Sequence, residues 1–408
     1  MQNKSFLPVL LGDVFANFGS WVDFLAILTL TAYQFQASTY DMAALSTAML
    51  VPRIVLAKRI GRMCDAYSPR TVLIVSLIAR IVATFIIIFT RNYWAFLVIV
   101  LLRSFASSFV VPAVNSLVKR VSTEDILKRR FSLLNVTNNF AKIFAPIVGT
   151  VASQILGERS VLFGSIALSL IGAAFFALAV NPSITNQSID SGKSLEKLTS
   201  ASPIELPINA MLPLLICVAL YSALGQIVNN QMPLILKSLG YGKDMLGLLV
   251  SSAGAGGIVG GMLLASKKAA LGSGASVQRV VVPGIASAMT FMIIGVAIQH
   301  PAPLSTYILS FAFFTTGFCG SNFAIASNIY LSHHFGFAIG QASSIRQAVQ
   351  SFINLVVPFA GAYLLNHLKI HQVFIYDGAI ISVAFLVIAA YVKMARQKSS
   401  YIASEAGQ

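Results

Sequence analysis

Apolar residues dominate the chain in runs of about twenty, separated by short clusters of polar and basic residues. A helix that crosses a bilayer needs about 20 mostly apolar residues. By that measure the first half predicts helices over 6–33, 40–57, 71–90, 93–118, 131–155 and 160–180. The second half predicts helices over 208–236, 244–266, 278–299, 302–331, 337–366 and 372–393. Residues 181–207 (NPSITNQSIDSGKSLEKLTSASPIELP) break the pattern, being rich in Ser, Thr, Asn and charge and carrying Pro182, Pro203 and Pro207. Such a stretch buries too little apolar area to offset its ordering entropy and reads as a solvated linker. The pattern therefore predicts an all-α polytopic membrane protein with twelve transmembrane helices in two six-helix bundles. The expected division is a first bundle over 1–180, the linker over 181–207, a second bundle over 208–396 and a tail over 397–408.

Polarity sorts the predicted spans further. The sixth and ninth contain almost nothing that lipid rejects, and the third and twelfth depart from that only at Arg80 and Asp377. The first carries Asp13, Asn17 and Asp23; the fourth Arg103 and Asn115; the fifth Asn135, Asn138, Asn139 and Lys142. The seventh carries Gln226, Asn229, Asn230 and Gln231, the tenth Asn322 and Asn328, the eleventh Gln341, Arg346, Gln347, Gln350 and Asn354. A charge at the bilayer centre is costly unless it faces a cavity or a partner. The third, sixth, ninth and twelfth spans are thus expected to face lipid and the others to surround a wet interior.

Composition agrees with this reading: 57% of residues are hydrophobic and 10% charged, against about 25% charged in a soluble domain. The formal charge of +15 would suit an anionic partner such as nucleic acid, but its placement follows membrane topology. Lys4, Lys58, Arg59, Arg62, Arg70, Lys119, Arg120, Lys128, Arg129, Arg130, Lys193, Lys197, Lys267, Lys268, Arg279, Lys393, Arg396 and Lys398 fall in one set of loops. The opposite set holds Arg91, Arg159, Lys237, Lys243 and Lys369. This bias puts both termini and the linker in the cytoplasm. Met1–Lys4 and the following apolar run read as a first span rather than a cleaved leader. Cys64, Cys217 and Cys319 are too scattered for a disulfide framework or metal cluster. His333 and His334 are adjacent rather than one helical turn apart, so no metal or other cofactor is expected.

Asp13 and Asp23 lie ten residues apart, about 15 Å along a helix and about 80° around it, so they do not pair. Buried acids exchange protons near neutral pH, which makes these two the proton-coupling candidates. Arg103, Lys142 and Arg346 are interior cations suited to gripping an anionic group or exchanging partners with the acids. Arg53, at the expected cytoplasmic end of the second span, and Arg80 read as structural. The SAGAGG run at 252–257 lacks a following Gly-Lys-Ser/Thr and reads as close helix packing, not a nucleotide loop.

The segment GRMCDAYSPR at 61–70 resembles the signature between the second and third spans of the major facilitator superfamily, with Gly61, Asp65 and Arg70 on pattern and Ala66, Ser68 and Pro69 off it. Asn17-x-Gly19 followed by Trp21 and Asp23, and the run from Arg103 through Pro112 and Asn115, are similar to the branch holding the enterobactin exporter and macrolide efflux proteins. FAPIVGTV keeps Pro146 and Gly149 of that superfamily's antiporter motif, with Ala145 and Thr150 in place of glycines. Gly256, Gly257, Gly260 and Gly261, then Lys267 and Lys268, repeat the plan of 51–70 faintly, as repeat-built transporters do. The resemblance implies the major facilitator fold, alternating access, and a latch at Gly61, Asp65 and Arg70 whose acid meets a helix N-terminus and basic partners.

Together these point to a transporter rather than an enzyme, a multi-pass protein of a bacterial inner membrane. The leading expectation is proton-coupled export of an amphipathic or anionic small molecule, a siderophore or drug. The substrate-facing set is read as Asn17, Trp21, Arg103, Asn138, Lys142, Gln226, Asn230, Asn322, Arg346 and Gln350. The expected partners are the small-molecule substrate, protons and the lipid bilayer, with no nucleic acid, and the chain is expected to be a monomer. A polar-nutrient importer or lysophospholipid flippase of the same fold is the alternative; a receptor or enzyme without transport would need a catalytic constellation or soluble domain.

Overall fold

A computed structural model describes residues 2–35, 39–179, 206–229, 232–241, 243–265, 277–299 and 304–405. Helix follows helix throughout the described residues, and the expected linker at 181–207 lies outside them except for Leu206 and Pro207. The first half contains α1 (Gln2–Thr29), α2 (Thr39–Val55), α3 (Ala57–Ala66), α4 (Pro69–Phe89), α5 (Tyr93–Ser107), α6 (Val110–Val121), α7 (Glu124–Leu156) and α8 (Glu158–Leu178). The second contains α9 (Ile208–Asn229), α10 (Met232–Ser238), α11 (Lys243–Ala265), α12 (Gln278–Ala297), α13 (Leu304–His334), α14 (Ile339–His367) and α15 (Ile370–Glu405).

Ten segments of the described chain are long and apolar enough to cross a membrane. The second and fifth passes fall short of that apolarity: α2 has only a short apolar run, Ala44–Val55, and α7 is loaded with amides and cations. The break between α2 and α3 is one distorted residue, Leu56, across which backbone hydrogen bonds continue. The break between α5 and α6 sits at Ser108, four residues before Pro112, whose ring nitrogen has no proton for the Ser108 carbonyl. Pro69 opens α4, where its missing donor costs nothing, and the Asn92 side chain caps α5 by accepting from the Ala95 amide at 3.1 Å.

Two differences from the sequence expectation matter. Residues 58–66, read as loop, are helical, so only Tyr67 and Ser68 connect the second pass to the third. Arg53 lies in the last turn of α2, and α3 adds a further stretch of helix to Ala66, about 20 Å beyond Arg53. In addition, α15 runs on as helix through Glu405 into the expected tail.

The described residues form two compact units, one of Met1–Pro207 with Leu331–Phe352, the other of Ile208–Tyr330 with Ile353–Gln408. In the first, α1 packs along α8 and α7, and Val22, Ile27, Leu45, Ile87, Phe96 and Leu162 form one core cluster. Arg159 staples one end of this unit by donating to Gln34 and to the Ile88 and Thr90 carbonyls. In the second, α12 packs along α15, with Ile235, Leu249, Ile294, Leu309 and Phe374 in its cluster. The SAGAGG run does pack closely: a Cβ on Gly256 would stand 1.9 Å from the Phe314 carbonyl oxygen, and one on Gly317 1.8 Å from that of Ala253.

The four cleanest spans, now α4, α8, α12 and α15, each present large exposed apolar side chains such as Val75, Leu170, Val282 and Ile380. Exposure is not confined to them, since α5 shows Trp94, Val98 and Leu102. Their polar exceptions turn inward, with Arg80 2% and Asp377 6% exposed.

Candidate functional site

The centre of the first unit is an ion pair between α1 and α5. Arg103 donates to Asp23 Oδ2 from Nη2 at 2.6 Å and from Nε at 3.2 Å. Thr84 of α4 donates to the same oxygen at 3.1 Å, and Ser165 of α8 donates to Oδ1. Asp23 is 1% and Arg103 5% exposed, so four helices converge on one desolvated carboxylate. Arg80 lies alongside, donating to the Ala16 carbonyl at 3.2 Å and to Ser169 at 2.8 Å. Arg103 acts electrostatically on both Arg53 and Arg80, and the Nε atoms of Arg53 and Arg80 are buried without a hydrogen-bond partner. Arg80 and Arg103 thus share the field of one carboxylate, and Arg53 lies within the field of Arg103. Burying charge is expensive unless it is compensated, so this arrangement is unbalanced toward binding negative charge.

Asp13 stands apart from that pair, 7% exposed, with its hydrogen bond to Asn17 one turn along α1. Trp21 packs edge-on against Phe24, centroids 5.9 Å apart, and borders the core cluster. On α7, Asn138 and Lys142 are exposed and share a face at a spacing of four, while Asn139 donates to the Asn135 side chain at 2.8 Å. Arg346 and Gln350 are likewise one turn apart on α14; Arg346 keeps a buried Nε without a partner and Gln350 is exposed.

The second unit holds the remaining candidates. Asn322 donates one N–H to the Phe318 carbonyl of its own helix at 2.8 Å, and Gln226 is half-buried. Asn230 lies outside the described residues. Two groups that polarity counting passed over stand out here. Tyr221 stacks on Phe323 at 4.1 Å and hydrogen-bonds Ser287, and the buried Asp377 leaves Oδ2 without a partner. The signal for Asp377 was present as an acid in an otherwise apolar span; Tyr221 had none.

The latch residues come together within the first unit. Asp65 accepts from the backbone amides of Gly340 at 2.7 Å and Gln341 at 2.9 Å, at the start of α14, where unsatisfied N–H groups favour an anion. Arg120 donates to the Asp65 carbonyl at 3.2 Å. Gly61 permits this approach, because a Cβ there would lie 2.4 Å from Gln341 Cα. Arg70 donates to the Ala177 carbonyl at the end of α8, and Asn115 donates to Ser343 at 3.0 Å, joining α6 to the same stretch of α14.

A family profile described as Major Facilitator Superfamily matches residues 9–304 and 214–407. The chain belongs to the Major Facilitator Superfamily. Its relatives in that superfamily include an uncharacterized MFS-type transporter, YfiS, of Bacillus subtilis, 28% identical over 44% of this chain and 42% of that protein. The multidrug resistance protein MdtG of Dickeya zeae is 25% identical over 38% of this chain and 39% of its own length. The match therefore spans less than half the length of these relatives. Among solved structures, the human organic anion transporter MFSD10 aligns with TM-score 0.72 at 14% identity, covering 95% of this chain and 99% of that one. A bacterial homologue of the iron transporter ferroportin, in an outward-facing state, gives 0.72 at 13% identity over 94% and 99%. The proton:xylose symporter XylE gives 0.71 at 15% identity, covering 96% of each chain. At these identities the structures establish the major facilitator fold, and the chain is a multi-pass membrane protein of that superfamily.

Proposed function

We propose that this chain is a proton-coupled exporter of amphipathic organic anions, working by alternating access in a bacterial inner membrane as a monomer with cytoplasmic termini. The observation that carries the reading is the cation surplus in this cluster: Arg80 and Arg103 act on the single carboxylate of Asp23, and Arg53 adds a third buried guanidinium beside Arg103. Arg80 is committed to Ala16 and Ser169, so Arg53 and Arg103 are the groups that would meet an anionic head, with Arg346 and Lys142 further along the same unit. Guanidinium forks match carboxylate and phosphate geometry. Asp13, which has a neutral amide as its partner, is the proposed proton carrier, and Asp23 the residue that substrate displaces from Arg103. A multidrug resistance protein among the sequence relatives and an organic anion transporter among the structural neighbours support export and anion chemistry respectively. Likeness to the enterobactin and macrolide exporters suggests a siderophore or macrolide-like compound. The contact of Asp65 with the start of α14 is the proposed latch of one conformational state.

The test is transport by the purified chain in proteoliposomes of one amphipathic scaffold made in anionic, neutral and cationic forms. The anionic form should be carried, and Arg53→Gln and Arg346→Gln should weaken its transport while leaving the fold intact. Preferential transport of the cationic form would refute the reading.

A further inference from the structure

A second site lies on the outer surface of the first unit, away from the ion pair. Between α4 and α5, with one end formed by α3 and Phe109, is a groove of about 690 Å3, within the ~300–1,000 Å3 that holds one small ligand. Its walls are almost wholly apolar and include Val75, Ala79, Val82 and Leu102, with Met63 of α3 and Tyr67 just after it at one end. Val75, Val82 and Leu102 are each more than half exposed, so the groove opens outward along its length. It follows α4 from Thr71 to Ile86, about 22 Å of helix, longer than the ~15 Å hydrocarbon depth of one leaflet.

The end formed by α3 is basic. Arg59, Met63 and Tyr67 follow at spacings of four and so share a face. Lys58, Arg59 and Arg62 are exposed, and Arg70 begins the turn that leads to Thr71. The acid of this region, Asp65, is turned away to the amides of Gly340 and Gln341. An apolar slot of acyl-chain length with cations at one end and, among the described residues, no carboxylate turned to that rim is complementary to a lipid with a negative head.

We propose that this groove binds one anionic phospholipid of the cytoplasmic leaflet, its acyl chain along α4 and α5 and its phosphate at Arg59 and Arg62. The lipid braces α3, the helix that carries Gly61 and Asp65, and so strengthens the contact at the start of α14. The site is independent of what the transporter carries.

Native mass spectrometry of the full chain released from mixed micelles tests this, with phosphatidylglycerol, phosphatidylcholine of the same acyl chains, and glycerol phosphate as separate probes. Phosphatidylglycerol should be retained at a stoichiometry of one, phosphatidylcholine weakly and glycerol phosphate not at all. Val75→Trp, which fills the groove, and the exposed pair Arg59→Gln/Arg62→Gln should each reduce retention by about tenfold or more, the worth of two basic residues at a lipid surface. Val98→Trp, on the exposed face of α5 outside the groove, should not. Phosphatidylglycerol should also slow hydrogen exchange at Gly340 and Gln341 in the parent chain but not in the charge variant. Equal retention of the two lipids, unchanged retention in the charge variant, or displacement of the lipid by a transported anion would overturn the proposal.

Discussion

Replacing Asp23 with alanine is the sharpest test of the interior. The change removes the acceptor of four hydrogen bonds at once, leaving a buried guanidinium and the hydroxyls of Thr84 and Ser165 without it. Breaking a buried pair from one side costs about 3–5 kcal/mol, because the surviving charge is uncompensated. Replacing both charges with apolar groups of similar size is close to neutral. Asp23→Leu/Arg103→Met should therefore recover most of what Asp23→Ala loses, a non-additivity of about 2–3 kcal/mol. Both tryptophans, Trp21 and Trp94, lie in the first unit, so their emission on heating in nanodiscs reports its unfolding directly. For a unit of this size 1 kcal/mol corresponds to about 2–4 °C, so Asp23→Ala should lower the transition by roughly 6–20 °C. A drop under about 3 °C, or a double variant as unstable as the single one, would show that the carboxylate does not hold Arg103 in the folded protein.

Three further outcomes follow from the same geometry. Asp65→Ala strips the acceptor from two amides, about 1–3 kcal/mol for each donor left unsatisfied, and should speed hydrogen exchange over the first turn of α14, with Gly61→Ala doing the same by steric displacement. Asp13→Asn should abolish substrate-driven proton movement in proteoliposomes while leaving substrate binding within about threefold, since among the described residues its carboxylate is hydrogen-bonded to Asn17 alone. Gly317→Leu should destabilise the second unit by more than the ~1–3 kcal/mol typical of overpacking, because backbone rather than a movable side chain stands in its way, as circular dichroism on heating would show.

The spans and their order were legible because the apolar runs are long and the charge bias consistent. The contact of Asp65 could be anticipated because Gly61 and Asp65 keep a recognisable spacing. Their partners at Gly340 and Gln341 lie 275 and 276 residues from Asp65, and no local pattern announces a backbone amide as a ligand. The same limit hid Thr84 and Ser165. Hydroxyls are tolerated in an apolar helix because they can bond back to their own carbonyls, so the third and sixth spans looked clean although they supply half the donors to Asp23. Residues 58–66 looked like loop because charged residues cluster there, whereas helix end and charge onset need not coincide. In the second unit Asn322 shows that a polar side chain can also bond its own helix, donating to the Phe318 carbonyl.

Whether the surplus positive charge of the first unit serves an anion coupled to protons is measured most directly by a pH-sensitive dye inside proteoliposomes, following addition of an amphipathic organic anion. The account predicts a proton flux that appears with the anion, scales with its transport, and disappears in Asp13→Asn. Anion transport with no proton flux, or a flux unchanged in that variant, would contradict it.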